Sequence, residues 1–167
     1  MIHEHEVFDA VRRGYTEFEN ATSTDIIDYF NSIDSESLAG HVNNIKGILF
    51  EQEYVDSLEA QGITAELFGT TNHPGTDIHM LGDNGDIVEL QLKATDSISY
   101  VNNAIADDPE TAFVITSEVA SQFDPNLVID SGIENAALES AVSDTLMDEA
   151  VNPISPLSVI GWFFGIF

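Results

Sequence analysis

Ile45, Ile48, Leu49, Val55 and Leu58 recur at helical spacing and mark a helix with one face in a core. The helix that carries them is predicted from about Ser35 to Gln61, opened by a Ser/Asp/Glu cluster and stopped by Gly62. Glu51 lies three residues past Ile48 and four before Val55, so it falls on the apolar stripe. An acid there needs a reason: a catalytic or ligating task, or a place at the edge of the stripe where it reaches water or a backbone group. Ahead of this helix the chain also reads as helical, over Glu6 to Asn20 and again over Asp25 to Ile33 behind the cap-like Ser23 and Thr24.

Past Gly62 the pattern changes to short apolar runs separated by turns. Ile63 to Phe68 is a strand candidate, Gly69 to Gly75 a turn-rich stretch, and Thr76 to Leu81 with Ile87 to Ala94 a hairpin closed by Gly82 to Asp86. A helix over Ile98 to Ala106, a strand over Thr111 to Thr116, a short strand over Leu127 to Ile129 and a helix over Glu134 to Ala150 follow. The order predicts an α/β (α+β) domain in which helices flank a small mixed central sheet. Residues 1–34 form a helical N-terminal segment, 35–150 the core, and 151–167 an apolar C-terminal segment.

Alternation gives the hairpin its chemistry. Val88, Leu90 and Leu92 share one face of their strand, and Glu89, Gln91 and Lys93 share the other. In the preceding strand Asp77 and His79 oppose Ile78 and Met80. If the apolar sides face one core, Asp77, Gln91 and Lys93 converge. An acid, an amide oxygen and a lysine on adjacent strands suit phosphodiester cleavage: hard oxygen donors take Mg²⁺ or Mn²⁺, and a lysine can position water or stabilise the transition state. The competing reading is an ordinary solvated sheet face.

Composition sharpens that choice. Of 167 residues, 30 are acidic and only Lys46, Lys93, Arg12 and Arg13 are basic, a formal charge of −26. A lysine kept amid apolar strand residues in such a chain points to a task. The same charge repels polyanions. A saline cytoplasm that screens it, a basic partner, or a protein that imitates the charge of DNA would reconcile it with a nucleic-acid role.

The absence of cysteine excludes disulfides, thiolate metal sites and a cysteine nucleophile. The N-terminus lacks a basic start followed by an apolar run, so a cytoplasmic home is expected. The closing PLSVIGWFFGIF falls short of the about 20 residues that span a bilayer. It reads either as a segment packed on the core or on a second subunit of a homodimer, or as the start of a membrane segment or further domain. No phosphate-binding glycine loop and no H-E-x-x-H zinc helix occurs.

Three stretches in order, GILFEQEYVDSL (Gly47 to Leu58), PGTDI (Pro74 to Ile78) and VELQLKA (Val88 to Ala94), resemble the restriction-endonuclease-like PD-(D/E)XK superfamily, closest to its Mrr-type branch. Gly47, Phe50 and Glu51 match the first motif, Gly75, Asp77 and Ile78 the second, and Leu90 to Lys93 the third, over roughly residues 40 to 116. The resemblance implies a Mg²⁺- or Mn²⁺-dependent nuclease acting on DNA. It makes Asp77 the principal metal ligand, Gln91 the second, the Leu92 carbonyl a third, Glu51 the helix-borne acid and Lys93 the catalytic lysine. Gln91 stands where an acid is more usual; Glu89 is placed to compensate, with His79 as a neighbour. The missing basic surface leaves the alternative of a non-catalytic acidic interaction module or DNA mimic on the same fold.

Overall fold

A computed structural model describes residues 1–67 and 77–151, with side chains as far as residue 147. The expected turn over Gly69 to Gly75, including Pro74 and Gly75 of the second motif, and the apolar segment from residue 152 lie outside the described residues. The protein is a mixed α+β chain: α1 (Glu4–Gly14), a 3-10 turn (Thr16–Phe18), α2 (Ser23–Ser32), α3 (Ser35–Ala60), β1 (Ala65–Leu67), β2 (Ile78–Leu81), β3 (Ile87–Lys93), α4 (Ile98–Asp107), β4 (Ala112–Ile115), α5 (Ser117–Ala120), β5 (Ile129–Asp130) and α6 (Asn135–Val151). Two compact units divide it, one of residues 1–48 with the stretch from Ala136, the other of residues 49–135. The division falls inside α3, because that long helix donates its first half to one unit and its second half to the other.

The unit of residues 49–135 holds the sheet, in the order β1-β2-β3-β4-β5. The first two pairings are antiparallel and the last two parallel. The β2–β3 hairpin closes where Gly82 N–H donates to Asp86 O at 2.7 Å, and Gly85 takes φ +83°, a conformation other residues rarely adopt. A parallel pair cannot be joined by a tight turn, so β3 reaches β4 through α4 and β4 reaches β5 through α5. Val101 and the partly buried Ala104 and Ile105 of α4, with Val119 and Ala120 of α5, pack on Phe113 and Ile115 of β4. Ile78, Leu90, Leu92 and Val114 are buried on the opposite face. Both faces are therefore covered at β4, the strand with parallel neighbours on both sides. The second half of α3 adds buried Leu49, Phe50, Tyr54, Val55 and Leu58 to this unit.

In the other unit, Tyr15, Phe18, Tyr29, Phe30 and His41 form a cluster of rings with centroids 5.0 to 6.5 Å apart. Tyr15 bonds His41 Nδ1 through its hydroxyl at 2.7 Å and accepts from Asn44 at 3.1 Å. α1 ends at Gly14, short of the expected Asn20, and Tyr15 turns to an extended φ of −130° that carries its ring into this cluster. Lys46 is buried and its ammonium lies 3.6 Å from Glu139 on α6. Among the described residues no helix is long and apolar enough to cross a membrane.

Candidate active site

β2 and β3 pair with Ile78 opposite Leu90 and His79 opposite Glu89. Ile78 and Leu90 are both buried, so His79, Glu89, Gln91 and Lys93 belong to the other face, as alternation predicts. The paired register ends at Ile78 opposite Leu90, and Asp77 stands in the bend just before it. Asp77 is half-buried and tied to β3 twice. Its N–H donates to Leu90 O at 2.9 Å, and its Oδ2 accepts from Leu92 N–H at 2.7 Å. The carboxylate thus bonds the β3 backbone beyond the last paired residues of the hairpin. N–H and C=O of a residue in an extended strand leave by the same edge, so the Leu92 carbonyl shares the edge occupied by Asp77.

The donor set fits a hard dication in kind. Asp77 supplies a carboxylate, Leu92 a backbone carbonyl on the same edge, and Gln91, next to Leu92 on β3, an amide oxygen, all oxygen donors of the type Mg²⁺ and Mn²⁺ take. Glu51 follows the fully buried Phe50 in α3 and is itself half-buried in the same compact unit. Its membership of the group rests on the resemblance and on the helical stripe.

Gln91 and Lys93 line a cleft of about 420 Å³ between β3 and α4, with Tyr100, Asn103, Asp107 and Phe113 among its other walls. The Lys93 ammonium lies 5.8 Å from the centroid of the Tyr100 ring, a cation–π distance. Neither Asp77 nor Glu51 is among the described residues that line this cleft. Lys93 and Gln91 therefore open toward α4, whereas Asp77 is held at the hairpin edge. The accessory pair sits apart: His79 Nε2 is 3.4 Å from Glu89 Oε1, and both line a separate depression with Val88 and Thr111.

The α4 side of the cleft was not among the residues singled out from sequence. Tyr100, Asn103 and Asp107 recur at three and four residues, which marks them as one helix face, but nothing in that spacing says which strand the face meets. The pairing of Gln91 with Phe113 and of Lys93 with Ile115 decides it, because it places β4 and its crossover helix beside the lysine.

No family model matches the chain, and neither a curated protein nor a solved structure does.

Proposed function

We propose that this protein is a Mg²⁺- or Mn²⁺-dependent nuclease that hydrolyses DNA phosphodiester bonds, with Asp77, Gln91, Lys93 and Glu51 as its catalytic set. The observation that carries the reading is the anchoring of Asp77 to the β3 backbone at Leu92, the residue between Gln91 and Lys93. A bound dication would acidify a water and neutralise charge on the phosphate. Leu92 N–H fixes one oxygen of Asp77, so the carboxylate is oriented before any ligand arrives. Gln91 adds a neutral oxygen donor, which holds a dication less strongly than an acid would. Lys93 presents a cation to the non-bridging oxygens of a phosphate, where charge accumulates as the bond breaks. Glu51 completes the donors or takes the proton of the attacking water. The reading places the domain in a saline cytoplasm, where salt reduces repulsion between a −26 chain and DNA.

Calorimetry with Mn²⁺ and a DNA-cleavage assay, both in molar KCl, test it. Wild type is expected to bind Mn²⁺ and cut. Asp77→Asn, which keeps an acceptor for Leu92 N–H, and Lys93→Met should each lower cleavage by about a hundredfold or more. A chain that gives no heat with Mn²⁺ and whose properties are indifferent to Asp77→Asn is not a nuclease of this kind.

One observation favours a second reading, an acidic module that binds a basic protein. The four cations are already engaged. Arg12 holds Asp9, Ala21 O and Ser23, Lys46 is buried beside Glu139, Lys93 lies over Tyr100, and Arg13 also has a partner. Capture of a basic protein in place of DNA, with no Mn²⁺ binding, would select it.

A further inference from the structure

We infer that the cleft between β3 and α4 is a subsite for one unpaired nucleobase, stacked on Tyr100 and hydrogen-bonded by Asn103, so that the substrate is single-stranded rather than closed duplex. The inference rests on the nuclease reading and names the substrate of that site.

The connectivity orders the cleft. α4 carries the chain from the end of β3 back to the start of β4, so it runs opposite to both strands. Its first turn, with Tyr100, stands beside Lys93, and its last turn, with Asp107, lies toward Gln91 and Phe113. A nucleotide has the matching order. Its phosphate belongs at the Lys93 ammonium, and its base extends along α4. At about 420 Å³ the cleft falls within the roughly 300–1,000 Å³ of small-ligand sites.

The walls suit a base more than a second phosphate. Buried Phe113 and half-buried Ala104 give an apolar floor. Tyr100 is 49% exposed at the mouth, a large ring with area left to cover. Asn103, one turn on, offers both a donor and an acceptor to a base edge. Asp107 and Asp108 at the far end accept only, so they favour the amino and imino donors of a base and repel phosphate.

Pairing and charge both select against duplex. A base stacked within a helix has no face to offer Tyr100. Double-stranded DNA also brings one charge per about 1.7 Å of axis against about 3.4 Å for one strand. A chain of formal charge −26 meets half the repulsion when the second strand is absent.

Two readouts on the full chain in molar KCl test the subsite separately from the chemistry. Without metal, a short single strand carrying a fluorescent adenine analogue is expected to be quenched on binding by wild type and by Tyr100→Phe, which keeps the ring. Tyr100→Ala should bind about tenfold more weakly without the quench, and Asn103→Ala should weaken binding while keeping it. With Mn²⁺, single strands are expected to be cut faster than blunt duplex, and Tyr100→Ala should raise KM for the strand about tenfold. Cleavage that ignores strandedness and Tyr100 would overturn the subsite and leave the nuclease standing. Tyr100-dependent quenching without cleavage of any DNA would uphold the subsite as a binding site and remove the nuclease. Binding or quenching that is the same in Tyr100→Ala as in wild type removes the subsite.

Discussion

Asp77 has two tasks that one substitution can separate. Its carboxylate accepts from Leu92 N–H at the end of the hairpin, so Asp77→Ala strands a part-buried donor as well as removing a charge. We expect Asp77→Ala to cost about 1–3 kcal/mol of stability and Asp77→Asn distinctly less, since the amide oxygen can still accept. Urea unfolding of the two variants checks this, and equal losses would show that the hydrogen bond does not hold the hairpin end. Such a bond was not legible in the sequence. Alternation put Asp77, Gln91 and Lys93 on one face, but a side chain that bonds the backbone of the neighbouring strand is visible only once the strands are paired. Two tyrosines give the chain an alkaline limit. Burial raises the pKa of Tyr54, and burial, opposed by the hydrogen bond from Asn44, raises that of Tyr15. A raised tyrosine pKa means that the folded state favours the neutral phenol. The stabilisation is fully present below the usual value near 10 and is lost as pH rises through the raised values. Thermal melts from pH 8 to 11 should therefore fall at the alkaline end, and Tyr15→Phe combined with Tyr54→Phe should flatten that fall.

At the scale of elements, a cap starts α2 and a close approach fixes the residue that ends α1. Thr22 accepts from Asp25 N–H at 3.1 Å while the Asp25 carboxylate accepts from Thr22 N–H at 3.1 Å, which starts α2. Hydrogen bonding from the Thr22 side chain and N–H to Asp25, and from the Ser37 N–H and hydroxyl to Asp34, holds both carboxyls below the usual aspartate range, so the two caps weaken as pH falls through the lowered values. At the end of α1, a Cβ on Gly14 would collide with Ile48 Cδ1. Gly14→Ala should thus lose about 1–3 kcal/mol despite the better helix propensity of alanine. Ile48→Val removes the colliding methyl, so the double variant is expected to be more stable than the sum of the single losses. Additive losses in denaturant melts would place the strain elsewhere. α5 went unforeseen for a different reason. Four residues are too few to show a helical period, and only the parallel pairing of β4 with β5 demands a crossover there.

For the whole molecule, charge outweighs any single contact. Thirty acids against four bases oppose compaction through their mutual repulsion, and most of that repulsion is between exposed groups that salt can screen. Stability is expected to rise steeply between dilute buffer and molar KCl, read as the midpoint of thermal unfolding. A midpoint highest in dilute buffer would defeat the saline-cytoplasm account and strengthen the acidic-module reading. By itself the sequence determined what depends on near neighbours along the chain. Helical spacing from Ile45 to Leu58, alternation from Val88 to Lys93 and the turn at Gly85 follow from periodicity and backbone sterics, and they settle the mixed α+β class and the face that carries Gln91 and Lys93. Tertiary structure alone decided what depends on partners far apart in sequence. The seating of Asp77 on Leu92, the division of α3 between two compact units, and the meeting of Tyr100 with Lys93 all follow from strand order and crossover, which bring together residues whose spacing carries no trace of the contact.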